Sequence, residues 1–224
     1  MRKVHWVVFS IPFVLIGIIF LNKILFGIYD PLYRDLASED NLIENLTVVF
    51  YFISFGVSLH ILKYFRKNVA VFWLFFVLSI IFLVSGLEEI SYGQRILGLD
   101  LMFRNNVQGE LTIHNQSLVQ PYRHFYYLIL SFFGAFAWLV FPKIKLFSKN
   151  ELFIKYALPP KFLFSYFISV LVVVSTMKYI PAQFINGSVT FGFFINYDSE
   201  FFEMILALGI MLYVINSFYK LRKN

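Results

Sequence analysis

The sequence has no cysteine, and only 14% of its 224 residues are charged. Without cysteine there are no disulfides and no thiolate chemistry, and the redox compartment is left open. Soluble domains carry roughly 25% charge, so a fold dissolved in water is a poor match. Also missing are a P-loop, a glycine-rich dinucleotide fingerprint behind a strand, an HExxH helix and any cysteine-based metal motif, which leaves nucleotide hydrolysis and redox cofactors without support. What the chain does have is apolar: 59% hydrophobic residues, 30 of them phenylalanine, and a mean hydropathy of +0.73. A domain this small cannot hide so much apolar surface from water, and a bilayer removes the need.

Crossing ~30 Å of hydrocarbon takes about 20 helical residues. Charge-poor runs of that length predict six spans, at residues 4–26, 42–62, 68–87, 122–141, 161–180 and 200–219. The expected fold class is all-α, a polytopic membrane protein with six transmembrane helices in a single integral domain over 1–224. The first run is too long for a signal-peptide core and no small-x-small site follows it, so it reads as an uncleaved span. A seventh charge-free run, Tyr179–Tyr197, contains Pro181, Gln183, Asn186, Gly187, Gly192 and Asn196. It reads as a short outer loop or re-entrant segment packed against protein.

Charge sets the direction. Arg2, Lys3, Lys63, Arg66, Lys67, Lys143, Lys145, Lys149, Lys155, Lys161, Lys220, Arg222 and Lys223 fall on one side, with Glu151 as the single acid there. The other side takes Lys23, Arg34, Arg95, Arg104, Arg123 and Lys178 with the remaining 12 acids. The positive-inside rule therefore places both termini in the cytoplasm. The net +6 is +12 on that side and −6 on the other, so the basic excess is a topology signal and no nucleic-acid partner is expected. The expected partner is the lipid bilayer, and the oligomeric state is left open.

The polar chemistry gathers on the acidic side. Asp30-Pro31, with Leu32, Tyr33 and Leu36, reads as a short interfacial helix. Ser38-Glu39-Asp40-Asn41 and Glu44 precede the second span, where capping and the positive helix end favour acids. The third span runs into Glu88-Glu89-Ile90-Ser91-Tyr92-Gly93-Gln94-Arg95. A helix continuing through it puts Glu88, Ser91, Tyr92 and Arg95 on one face, with Glu89 pointing elsewhere. Paired carboxylates at the end of an apolar span call for a polar interior. Beyond lie Gln108, Glu110, His114 and Asn115, where one helical turn makes Glu110 and His114 neighbours suited to acid–base work or metal ligation. Arg123-His124 opens the fourth span. Capping accounts for Asp198 and Glu200 at the start of the sixth, but poorly for Glu203, one turn deeper and on the same side as Glu200. His5 and His60, single histidines near cytoplasmic span ends, read as structural, and small residues at helix-packing spacing are sparse.

The run EEISYGQR, followed by NNVQGELTIHN, resembles a family of bacterial multi-pass membrane proteins with the pattern E-E-I-S-W-G-Q-R and then N-x-Q-G-E-x-x-x-H-N. Tyr92 stands where that pattern has Trp. SEDNLIENLT resembles its R-E-D-G-x-x-E-x-L-T, with Ser38 for Arg and Asn41 for Gly. No activity is established for the family. The resemblance implies architecture, a bacterial inner-membrane location and a site at Glu39, Asp40, Glu44, Glu88, Glu89, Ser91, Gln94, Arg95, Gln108, Glu110, His114 and Asn115.

Three functional classes fit these residues. The first is a membrane-embedded hydrolase or transferase acting on a lipid or lipid-linked phosphate. In it Glu88 or Glu89 serves as general base or cation ligand, with Glu110 beside it, and His114 protonates the leaving group. Ser91, Gln94, Arg95, Gln108, Asn115 and Arg123 bind substrate, and Glu44, Glu200 and Glu203 complete the site. Carboxylates with one histidine can hold Mg, Mn or Zn without choosing among them, so a divalent cation is the one cofactor in view. The second class is a transporter or channel with an acidic outer vestibule, against which the absence of charge at mid-span weighs. The third is a sensor or assembly subunit without chemistry.

Overall fold

Segments without charge leave their own backbone as the main polar demand, and a helix meets that demand internally. The computed structural model describes residues 2–26, 31–37, 41–93, 123–144, 149–179 and 198–223, and among them there are helices and no strands. The long helices are α1 (Arg2–Phe26), α3 (Leu42–Leu62), α4 (Val69–Glu89), α5 (Arg123–Val140), α7 (Phe164–Tyr179) and α8 (Asp198–Arg222). Two short ones, α2 (Pro31–Ala37) and α6 (Glu151–Ala157), lie between them. Six stretches among the described residues are long and apolar enough to cross a membrane, the architecture of a multi-pass membrane protein. The fifth, Glu151–Ser175, takes in α6, the break at Pro159-Pro160 and most of α7. The run 180–197 lies outside the described residues.

α8 is the most enclosed of the six and α1 the least. α8 packs on α3 and α7; α3 carries α4 on its other flank, and α7 holds α5 and α1. In hydrocarbon no water drives helices together, so close contact depends on shape and small side chains. Small residues are more numerous at the contacts than the sequence suggested, because serine supplies many of them. Ser54 and Ser58 on α3, Ser79 and Gly86 on α4, and Ser165 and Ser169 on α7 all lie on buried faces. Gly134 on α5 faces the Phe167 ring so closely that an added Cβ would stand 2.1 Å from it. Gly209 on α8 meets Tyr166 in the same way, at 2.8 Å.

Prolines create the remaining polar needs. Pro12 inside α1 has no N–H for the Val8 carbonyl, and the Tyr166 hydroxyl of α7 donates to that oxygen at 3.0 Å. Pro159 and Pro160 likewise give nothing to the carbonyls of Lys155 and Tyr156 at the end of α6. Side chains of α8 serve them: Lys220 Nζ donates to Lys155 at 3.1 Å, and the Tyr213 hydroxyl to Tyr156 at 2.8 Å and Ala157 at 3.1 Å. At this end Asn68 and Asn150 cap α4 and α6, and His5 and His60 pack on the rings of Phe162 and Phe218. Lysines crowd here, and this is the basic end of the bundle. The acidic end holds the C-terminus of α4 and the N-termini of α3 and α8.

Candidate functional site

Three carboxylates meet at the acidic end. Glu89 closes α4, while Glu200 and Glu203 occupy the first two turns of α8, three residues apart and so on one face. One oxygen from each lies within 4.8 Å of those of the other two. Glu203 is 8% exposed; Glu89 and Glu200 are half-buried. Glu44, in the first turn of α3, and Glu88 add their charges to the field at Glu89. Like charges this close repel unless a proton or a cation sits between them. The donor set suits a hard cation. With calcium–oxygen distances of about 2.3–2.6 Å, ligands across the ion lie up to about 5 Å apart, a reach these oxygens satisfy.

Phenols frame the cluster. Tyr127 on α5 hydrogen-bonds Glu203, and Tyr51 on α3 bonds Tyr126, whose hydroxyl also lies 3.2 Å from Ser85 Oγ on α4. Sequence reasoning missed these four residues. A usable signal existed: Glu44 and Tyr51 are seven apart, two turns along one helical face. A tyrosine at that depth brings a hydrogen-bonding tip into an apolar span.

The expected continuation of α4 does not occur. The helix stops at Glu89, and Ser91 (φ 49°) and Tyr92 (φ 52°) both adopt the left-handed region. The turn breaks the helical face expected to join Glu88, Ser91 and Tyr92, and Arg95 lies outside the described residues. It is Glu89, expected to point elsewhere, that joins the α8 acids. Glu88 instead accepts a hydrogen bond from Tyr92, whose phenol is pushed up by burial first and by that bond second. Two adjacent left-handed non-glycine residues store strain at the edge of the cluster.

Asp198 has a use that capping did not suggest. Its carboxylate is fully buried, pairs with Lys23 of α1 and accepts from the Tyr33 hydroxyl of α2. Burial and that bond raise the Tyr33 phenol above its ordinary value. Lys23, counted among the loop charges, is 3% exposed. The trio ties α1 and α2 to the end of α8 that carries Glu200 and Glu203, and it positions the cluster without belonging to it. The short helix expected after Pro31 is present as α2.

Of the residues singled out from sequence, the structure brings together Glu89, Glu200 and Glu203, with Glu44 and Glu88 close enough to act on Glu89. Ser91 is buried in the turn after α4. Glu39, Asp40, Gln94, Arg95, Gln108, Glu110, His114 and Asn115 lie outside the described residues, and Arg123 is described only as the first residue of α5. A scan against protein-family models and searches of the curated proteins and of the solved structures returned no match to this chain.

Proposed function

We propose that this chain lies in a bacterial inner membrane with both termini cytoplasmic, and that Glu89, Glu200 and Glu203 hold a divalent cation facing the outer leaflet. There the cation and its surroundings act on a lipid or lipid-linked phosphate, as a hydrolase or transferase. The observation that carries this reading is the convergence of three carboxylates within 4.8 Å at the end of membrane-spanning helices. Glu89, Glu200 and Glu203 would hold the cation, which would supply a Lewis acid for a phosphate's oxygens and so make its phosphorus more open to a nucleophile. Glu88, beside the cluster but engaged with Tyr92, is the candidate base. His114 is proposed as the acid and Arg95 and Arg123 as anion holders, in keeping with the resemblance of EEISYGQR and its following motif.

The test uses the purified protein in nanodiscs with Mn2+ as the probe, read by electron paramagnetic resonance, alongside the lipid composition of cells carrying the same variants. Expected is saturable Mn2+ binding that Glu89→Gln and Glu203→Gln each abolish, together with a changed lipid profile at normal protein level. Wild-type protein that binds no Mn2+ overturns the cation site. An unchanged profile, with cation flux into liposomes that both substitutions stop, replaces the enzyme by a conducting protein.

A further inference from the structure

An apolar cavity of about 210 Å³ lies between α4 and α5, backed by α7 and α8 and bordered at the basic end by α6 and Pro159. Leu74, Leu78 and Ile81 line it from α4, and Leu130, Phe133 and Ala137 from α5. Steps of three and four turn a whole stripe of each helix toward the space. The cavity exists because α5 leans the other way: Gly134 lets it settle onto Phe167 of α7. Its walls offer water little to bond, since they are almost wholly apolar and the Tyr213 hydroxyl is engaged with the α6 carbonyls. It opens sideways, because Phe133 both lines it and is 50% exposed. An apolar cavity of about 150 Å³ already takes up benzene.

Position and charge identify the occupant. From Leu130 to Phe141 the slot follows eleven residues of chain, about 16 Å at helical rise, close to half of the ~30 Å hydrocarbon layer. It reaches the basic end and stops about two helical turns short of Glu89. At its basic mouth Lys143 stands two residues past Phe141 and Lys161 two past Pro159, both exposed, while Lys155, two residues from the slot-lining Phe153 and Ala157, lies on the opposite face of α6. Lys161 also lies 4.7 Å over the ring of Trp138. A hydrocarbon slot one leaflet deep with two cations at its mouth complements one chain and the phosphate of an anionic lipid.

We propose that the slot binds one acyl chain of an anionic phospholipid from the leaflet at the basic end, with its phosphate held by Lys143 and Lys161. This site is separate from the carboxylate cluster and stands whether or not that cluster holds a cation. Three tryptophans are present, and Trp6→Phe with Trp73→Phe leaves Trp138, next to slot-lining Ala137, as the sole reporter. The protein is placed in phosphatidylcholine vesicles containing a minority of brominated phosphatidylglycerol or of brominated phosphatidylcholine. Expected is stronger quenching of Trp138 by the anionic lipid at equal fraction. That preference disappears in Lys143→Gln/Lys161→Gln, and in either Ala137→Leu or Leu78→Phe, which fill the slot from opposite helices. Equal quenching by the two lipids overturns the proposal. So does a preference that survives both slot-filling variants, which would mean headgroups held at the surface only. Both lysines are exposed, so the double variant folds and decides the matter even where a filled slot does not.

Discussion

Replacing one member of the carboxylate cluster has opposite effects with and without a cation, and the geometry sets the scale. Two unit charges 4.8 Å apart repel by about 3.5 kcal/mol at an effective dielectric near 20, and three ionised carboxylates make three such pairs. Glu203→Gln removes two of them, about 7 kcal/mol together at that spacing. Water around the half-buried Glu89 and Glu200 reduces this to a few kcal/mol. The amide keeps an oxygen for the Tyr127 hydrogen bond, so the substitution removes charge without removing that acceptor. In the chelator EDTA the variant therefore melts above the wild type. In excess cation the order reverses, because a bound ion adds about 2.7 kcal/mol at one hundred times its dissociation constant and only the wild type keeps the full ligand set. Thermal unfolding in detergent, followed by intrinsic fluorescence with EDTA and then with Mn2+, reads both halves. A Glu203→Gln protein that melts below the wild type in EDTA, with neither protein responding to Mn2+, refutes the reasoning. The carboxylates would then be joined by shared protons and would stabilise the fold as they are.

Other substitutions probe the frame that holds the site. Tyr213→Phe removes the side-chain donor of the Ala157 carbonyl and leaves the Tyr156 carbonyl only the 3.4 Å bond from Ser217, and should cost about 1–3 kcal/mol in the same melting assay. Tyr166→Phe should cost about 1 kcal/mol, and less in a Pro12→Ala background that gives Val8 its own helical partner; a double-mutant cycle measures the difference. Asp198→Asn breaks a buried ion pair, with an expected loss of about 3–5 kcal/mol, whereas Lys23→Met with Asp198→Leu should recover most of it. Gly134→Ala pushes Phe167 aside and should lower the melting temperature, by about 1–3 kcal/mol of overpacking.

The spans were legible because length and missing charge determine them: 42–62 was expected and Leu42–Leu62 is found, and 68–87 becomes Val69–Glu89. α6 was not legible, since its five-lysine neighbourhood reads as a loop and its helix ends on carbonyls that only α8 can serve. Glu200 and Glu203 could be paired from their spacing, a local relation. That Glu89 and not Glu88 meets them depends on the left-handed turn at Ser91 and Tyr92, which no periodicity announces. Lys23 and Asp198 are 175 residues apart, and nothing in either neighbourhood marks them as partners.

Because α8 stands at the middle of the bundle yet follows the other helices in the chain, it sets the schedule of biogenesis. While the ribosome is still making it, Asp198 has yet to reach Lys23, and the Tyr156 carbonyl on α6 still waits for Tyr213. Until α8 docks, Lys23 and the Tyr156 carbonyl thus lack the partners that α8 gives them in the bundle. Docking of α8 supplies these partners together, so one helix joins α1, α2 and α6 to the rest of the bundle in a single step.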